Sequence, residues 1–321
     1  MKKFAHTLSW VVSLAAFSVL LATSGCSFRR ITKSKDIVYR EANPATGTGA
    51  QQLNVFAPRK IDAPTDVFVF VHGGSWHLGR KELYSFLGKR MARKGVTAVV
   101  IDYPLSPAAK YDEMAASVAQ AVQWTYQHIS EYGGNPNSIF VSGHSAGGHL
   151  AALNTVRNEY FDTLGLANPI RGAILIDAAG LDMYGYLKEH ENDEDRKYLA
   201  TFTKNPANWK EATPLFYLHQ NMPPLLIYQG EKTYPSISKS TRKFVDALEK
   251  YVPKPNYRVL KRKKHIPMIT QFLFPWNPLY QEIINFMQKT SSNPMASNKC
   301  GEHYYQLQNG SSVDQLDKAP E

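Results

Sequence analysis

Three short stretches carry side chains suited to nucleophilic chemistry, and they occur in a definite order along the chain. "IFVSGHSAGGHL" sets Ser145 between Gly143 and Gly147, where an apolar, β-branched run gives way to small and helix-forming residues. Upstream, "VFVFVHGGSW" closes an apolar run with His72, Gly73 and Gly74; downstream, "KKHIPMI" brings His265 after the last strand-like run. A serine attacks a carbonyl when its hydroxyl is exposed, close to a base and beside backbone donors for the developing oxyanion. A tight strand-to-helix turn exposes the hydroxyl, flanking glycines leave room for the backbone, and a helix beginning at Ala146 aims free N–H groups and its positive dipole end at the site. Ser145 is therefore the candidate nucleophile and His265, in a loop, the candidate base. The N–H groups of Gly73, Gly74 and Ala146 form the candidate oxyanion hole.

The elements needed to position these residues are visible as alternating patterns. Short apolar runs, "QQLNVFAP", "DVFVFVH", "VTAVVIDY", "SIFVSG", "GAILID", "PLLIY" and "NYRVL", alternate with amphipathic stretches over residues 81–94, 112–132, from 146, 236–251 and 278–289. Such alternation implies an α/β fold with a mostly parallel central sheet covered by helices on both faces. Residues 183–213 break the rhythm with five acids between Glu189 and Asp195 followed by aromatics, which fits either a small helical cap inserted over one sheet edge or a solvated acidic loop. The remaining histidines read as packing: His72 behind the glycine pair, His144 in the elbow, His149 on the buried helix. No metal-ligand spacing is present, and no metal or other cofactor is expected.

With 321 residues, 43% of them hydrophobic, the chain can bury a large core. Lys2 and Lys3 precede an apolar run from Leu8 to Ala22 that is short for a bilayer and closes at a cysteine. "LATSGC" resembles the lipobox of bacterial lipoproteins, departing from it at Thr23. The resemblance implies a signal peptide over residues 1–25, acylation of Cys26, a polar tether over 26–50, export, and a lipid anchor in the outer membrane. An ordinary cleaved signal is the alternative. Cys300 lies in a polar tail, residues 291–321, expected to be disordered. The net charge of +10 suits an anionic membrane surface; nucleic acid is not expected as a partner, since no recognition motif or aromatic-basic interleaving accompanies the charge. Nothing in the sequence speaks to oligomeric state.

Together, HGGSW, "VVIDYPLSP", GHSAGGHLA and the late KHIPM resemble the α/β-hydrolase superfamily, specifically its HGG-bearing esterases related to hormone-sensitive lipase and kynurenine formamidase. The resemblance covers about residues 50–290. It implies a serine-dependent hydrolase of small or medium acyl esters acting through an acyl-enzyme. An arylformamidase-like amide hydrolase and a non-catalytic binding lipoprotein on the same fold are the alternatives. One departure bears on the chemistry. These families place the acid that orients the histidine after the seventh strand, and here Thr233 stands at that position in "YQGEKTYPS". Three carboxylates are candidates to replace it: Asp177, ending the strand next to the elbow strand; Glu231, two residues before Thr233; and Asp182 in "GLDM". Asp177 is taken as the expected partner of His265. "KRKK", Lys261 to Lys264, reads as a solvated strand end or as a contact for anionic head groups.

Overall fold

The computed structural model of the protein describes residues 30–45, 47–190 and 198–292. Its centre is an eight-stranded sheet in the order β1-β2-β4-β3-β5-β6-β7-β8. The strands are β1 (Ile31–Arg40), β2 (Gln51–Pro58), β3 (Thr65–Val71), β4 (Thr97–Ile101), β5 (Gly134–His144), β6 (Ile170–Ile176), β7 (Leu225–Gly230) and β8 (Asn256–Leu260). From β4 through β8 all neighbours run parallel, whereas β2 is antiparallel to both β4 and β1. This is the α/β-hydrolase architecture, mostly parallel and covered on both faces.

Period-two alternation explains the double burial. In β3, Val67, Val69 and Val71 enter one apolar core while Phe68 and Phe70 enter the other. The first core packs under α2 (Tyr111–His128), α3 (Ala146–Val156) and α8 (Pro235–Leu248). The second packs under α1 (Ser85–Arg93), α9 (His265–Thr270) and α10 (Leu279–Ser291). Shorter helices α4 (Glu159–Asp162), α5 (Met183–Glu189), α6 (Leu199–Phe202) and α7 (Pro206–Glu211) complete the described residues' α-helical elements. The last three occupy 183–213, on either side of residues 191–197, where most of the acid cluster lies outside the described residues.

Two expectations need correction. The span read as a polar tether, 26–50, contains β1, a full strand of the sheet. Its sequence hides this because an edge strand keeps one side and one ladder in solvent, so polar residues dominate it. Bulges break the register between Ser34 and Ile37 and between Val38 and Arg40, further blurring the alternation. Tyr39 fastens the strand, its hydroxyl donating to the Asp102 carbonyl at 2.6 Å. The second correction concerns His265, which opens α9 instead of lying in a loop. The signal segment, Cys26 and the tail from residue 293 onward, including Cys300, lie outside the described residues.

Candidate active site

Ser145 stands on the turn between β5 and α3 with φ 55° and ψ −121°. A left-handed backbone at a non-glycine residue costs on the order of 1–3 kcal/mol and persists only where surroundings enforce it. Three hydrogen bonds enforce it: Ser145 N–H donates to the Ile176 carbonyl, and its own carbonyl accepts from His149 and Ala179. The flanking glycines are required by contact, not by φ. A Cβ on Gly143 would lie 2.2 Å from the Gly147 carbonyl oxygen, and one on Gly147 would lie 2.1 Å from that of Val71.

The fold brings His265 and Asp177 to this serine. His265 Nε2 lies 2.9 Å from Ser145 Oγ, and His265 Nδ1 lies 2.7 Å from Asp177 Oδ2. A carboxylate only accepts, so Nδ1 carries the proton and Nε2 is left to take one from the hydroxyl. Asp177 is completely buried. Its Oδ1 accepts the Gly230 N–H at 2.8 Å, and its Oδ2 also accepts the Thr233 hydroxyl at 2.5 Å. The threonine that seemed to vacate the acid position thus donates to the carboxylate reaching His265 from the neighbouring strand. The other two candidate acids are engaged elsewhere. Glu231 accepts the Arg262 N–H at 2.7 Å. Asp182 caps α5 through the Gly185 N–H and pairs with Lys243 at 2.6 Å.

The glycine loop arches over the serine through three consecutive positive φ values, Gly74 at 137°, Ser75 at 51° and Trp76 at 62°. Only a residue without a side chain fits at position 74, where a Cβ would sit 1.9 Å from the Leu78 carbonyl oxygen. Of the three expected oxyanion donors, Gly73 directs its backbone to the Tyr84 hydroxyl, a contact that opposes the upward push of burial on that phenol's pKa. Gly74 N–H meets no described acceptor, and Ala146, as the first residue of α3, has no carbonyl one turn back to bond. These two amides remain available to a ligand.

Two buried histidines hold the machinery and stay neutral. His149 accepts the Trp76 Nε1–H at 3.2 Å and donates Nε2–H to the Ala212 carbonyl at 2.7 Å, joining the glycine loop, the elbow helix and the segment after α7. Burial lowers its pKa to about 4. His144 stacks on the His265 ring, 4.6 Å between centroids, and meets the His265 carbonyl through Nε2. Burial, then the charge His265 would carry, lowers its pKa to about 3. Tyr234 closes the other side of His265 at 5.0 Å. The bracing roles of His149, Thr233 and Tyr234 leave no local sequence signal, because each is defined by a partner far along the chain.

The serine opens into a cavity of about 730 Å³. Met183, Tyr186 and Tyr198 from the 183–213 segment, with Trp76, Ile237 and Ile269, give it a largely apolar and aromatic wall. Among the described residues no group of His, Cys, Asp or Glu side chains could hold a metal ion.

The BD-FAE family model matches residues 53–247, more than half of the chain, from within β2 through most of α8. The chain belongs to the BD-FAE family. Among proteins similar to this family member, a probable isoprenylcysteine alpha-carbonyl methylesterase (ICMEL1) of Arabidopsis thaliana is 25% identical over 240 residues, covering 68% of this chain and 49% of that protein. Esterase LipQ of Mycobacterium tuberculosis (strain ATCC 25618 / H37Rv) is 32% identical over 195 residues, covering 57% of this chain and 45% of that protein. The chain therefore spans about half the length of these curated relatives. In three dimensions it resembles a truncated form of a carbohydrate esterase from gut microbiota, with a TM-score of 0.68 at 16% identity over 83% of this chain and 99% of that one. At that identity the likeness speaks for the fold.

Proposed function

We propose that the protein is a serine-dependent carboxylic ester hydrolase acting on small or medium acyl esters through an acyl-enzyme. The observation that carries this reading is the continuous relay Ser145 Oγ, His265, Asp177 at 2.9 and 2.7 Å, opening into an apolar cavity. Ser145 attacks the ester carbonyl while His265 Nε2 takes its proton, and the imidazolium that forms is balanced by Asp177. The tetrahedral oxyanion is held by the N–H groups of Gly74 and Ala146 in a site sheltered from water. His265 then returns the proton to the departing alcohol, and water, activated by the same imidazole, releases the acid. The names of the two curated relatives, an esterase and a methylesterase, support the bond type. Asp177 within hydrogen-bond reach of His265 supports the catalytic reading over a non-catalytic binding role.

The test is hydrolysis of p-nitrophenyl acetate and butyrate. Turnover that disappears in Ser145→Ala at unchanged thermal stability supports the reading; turnover indifferent to that change refutes it. The lipoprotein expectation remains part of the proposal on sequence alone. It requires that Cys26→Ser abolish incorporation of labelled palmitate in a bacterial host.

A further inference from the structure

One face of the molecule combines apolar side chains in solvent with cations that form no ion pair among the described residues. Trp276 is 76% exposed, the most of any large apolar residue among the described residues, and Phe274, 52% exposed, lies against it at 5.5 Å. Ile266, 56% exposed on α9, continues this strip to the cavity mouth, where Leu83 and Tyr234 are also more than half exposed. A surface groove of about 420 Å³ beside Trp276 is lined by Lys263, Pro267, Thr270, Phe274 and Trp276, and Thr270 borders the cavity as well. Scattered exposed apolar residues are ordinary in soluble proteins, but an exposed aromatic pair beside a groove, with further exposed apolar side chains at the adjoining cavity, marks a contact surface.

Cations flank the strip on two sides. Lys261, Arg262, Lys263 and Lys264 precede α9, and none forms an ion pair among the described residues. On the other side, Lys89, Arg90 and Arg93 of α1 gather with Lys33 and Lys35 of β1. The four neighbours all push the Lys89 pKa down, after burial, as like charges do. The second cluster lies beside the strip because α1 packs against residues 271–273, directly before Phe274, and Lys94, directly after α1, lies over the Tyr280 ring at 5.3 Å. Of the acids nearby, Asp36, Glu82 and Asp102 converge on Lys81, Glu282 pairs with Arg258, and Glu231 accepts the Arg262 backbone N–H. The cations of the two clusters outnumber these acids, and none of them forms an ion pair among the described residues.

We propose that this face, formed by α1, the start of β1 and the segment from Lys261 to Trp276, docks on an anionic phospholipid bilayer. Tryptophan and phenylalanine insert at the headgroup boundary while lysine and arginine meet lipid phosphates, the pairing that interfacial binding requires. The position of β1 fits the same occupant. Four residues separate Cys26 from Ile31, a reach of at most about 17 Å, so an acyl chain on Cys26 would enter the membrane beside the Lys33 cluster. The surface itself does not depend on that lipid, nor on the proposed catalysis.

All eight strands and both cores lie within residues 31–291, so the chain from Ser27 onward contains every described element and is the protein to test. It is sedimented with vesicles of phosphatidylcholine alone and of phosphatidylcholine with about 30% phosphatidylglycerol. Binding is expected to the anionic vesicles only, to weaken with salt, and to blue-shift the emission of Trp276. Trp76 and Trp209 are buried and Trp124 is half-buried against the core, which leaves Trp276 as the most exposed reporter. Lys261→Gln with Lys263→Gln should lower the partition coefficient about 25-fold, each lysine contributing about fivefold at such a surface. Trp276→Ser should abolish the spectral shift, and both variants should keep wild-type turnover of soluble ester. Equal binding to both vesicle types, undiminished binding by the variants, or a dimer in sedimentation velocity that buries Trp276 without vesicles would each overturn the proposal.

Discussion

Replacing Asp177 by asparagine tests the site at its most informative point. The carboxylate makes three hydrogen bonds, one on Oδ1 from Gly230 N–H and two on Oδ2 from His265 Nδ1 and the Thr233 hydroxyl. Asparagine offers one acceptor and one donor group. If its oxygen faced His265, its NH₂ would oppose the buried Gly230 N–H, leaving donors unsatisfied at a cost of about 1–3 kcal/mol. The favoured orientation keeps the oxygen on Gly230 and points the NH₂ at His265 Nδ1, which must then accept. The imidazole consequently carries its proton on Nε2 and has no lone pair for the Ser145 hydroxyl. Loss of the correct tautomer and of the countercharge lowers kcat by about four orders of magnitude in enzymes of this kind, a barrier increase of about 5 kcal/mol. The assay is steady-state hydrolysis of p-nitrophenyl butyrate beside a thermal melt, with Glu231→Gln as control, expected within about twofold of wild type because Glu231 only accepts the Arg262 amide. A folded Asp177→Asn protein retaining more than about a tenth of wild-type kcat would refute the relay.

Thr233→Val should reduce kcat by about 10- to 100-fold with little change in KM, the equivalent of one hydrogen bond to a charged group, and Thr233→Ser should recover most of it; equal rates for Val and Ser would remove Thr233 from the relay. His149→Leu leaves the Trp76 Nε1–H and the Ala212 carbonyl without partners, and urea unfolding should show a loss of about 2–5 kcal/mol; a loss under about 1 kcal/mol contradicts the bridge. His144 and His149, with pKa values of about 3 and about 4 when folded, release protons that the unfolded chain binds near pH 6.5. Their contribution to stability is whole above about pH 6.5 and falls as the pH drops toward 4, by up to about 1.4 kcal/mol per pH unit for each. Unfolding curves between pH 7 and 5 that show constant or rising stability on acidification would exclude neutral burial of these rings.

Seven of the eight strands are legible from the chain: β2 to β7 because each is a run of alternating or continuous apolar residues buried on both faces, and β8, mostly exposed at the opposite edge, only as the short run "NYRVL" that ends in Val259 and Leu260. β1 is not, because half its surface and one hydrogen-bonding edge face solvent and two bulges interrupt its period. The helical character of 183–190 and 198–213 stays ambiguous in the sequence, since α5, α6 and α7 are too short to display a period.

The sequence alone determines where a strained turn can form and which side chain it presents. Gly143, Ser145 and Gly147 are local, and the steric demand that leaves no room for a Cβ at either glycine acts within a few residues and on the adjoining strand. Tertiary structure decides everything that depends on distance through space. It selects Asp177 from three carboxylates because β6 lies beside β5 and its end faces the start of α9. It likewise converts Thr233 from a missing acid into a donor to that acid. It also makes His149 a strut between segments more than sixty residues apart in the chain. Spacing along a chain constrains turns and periods, whereas the pairing of charges across a sheet is set by strand order and register, which no local pattern encodes.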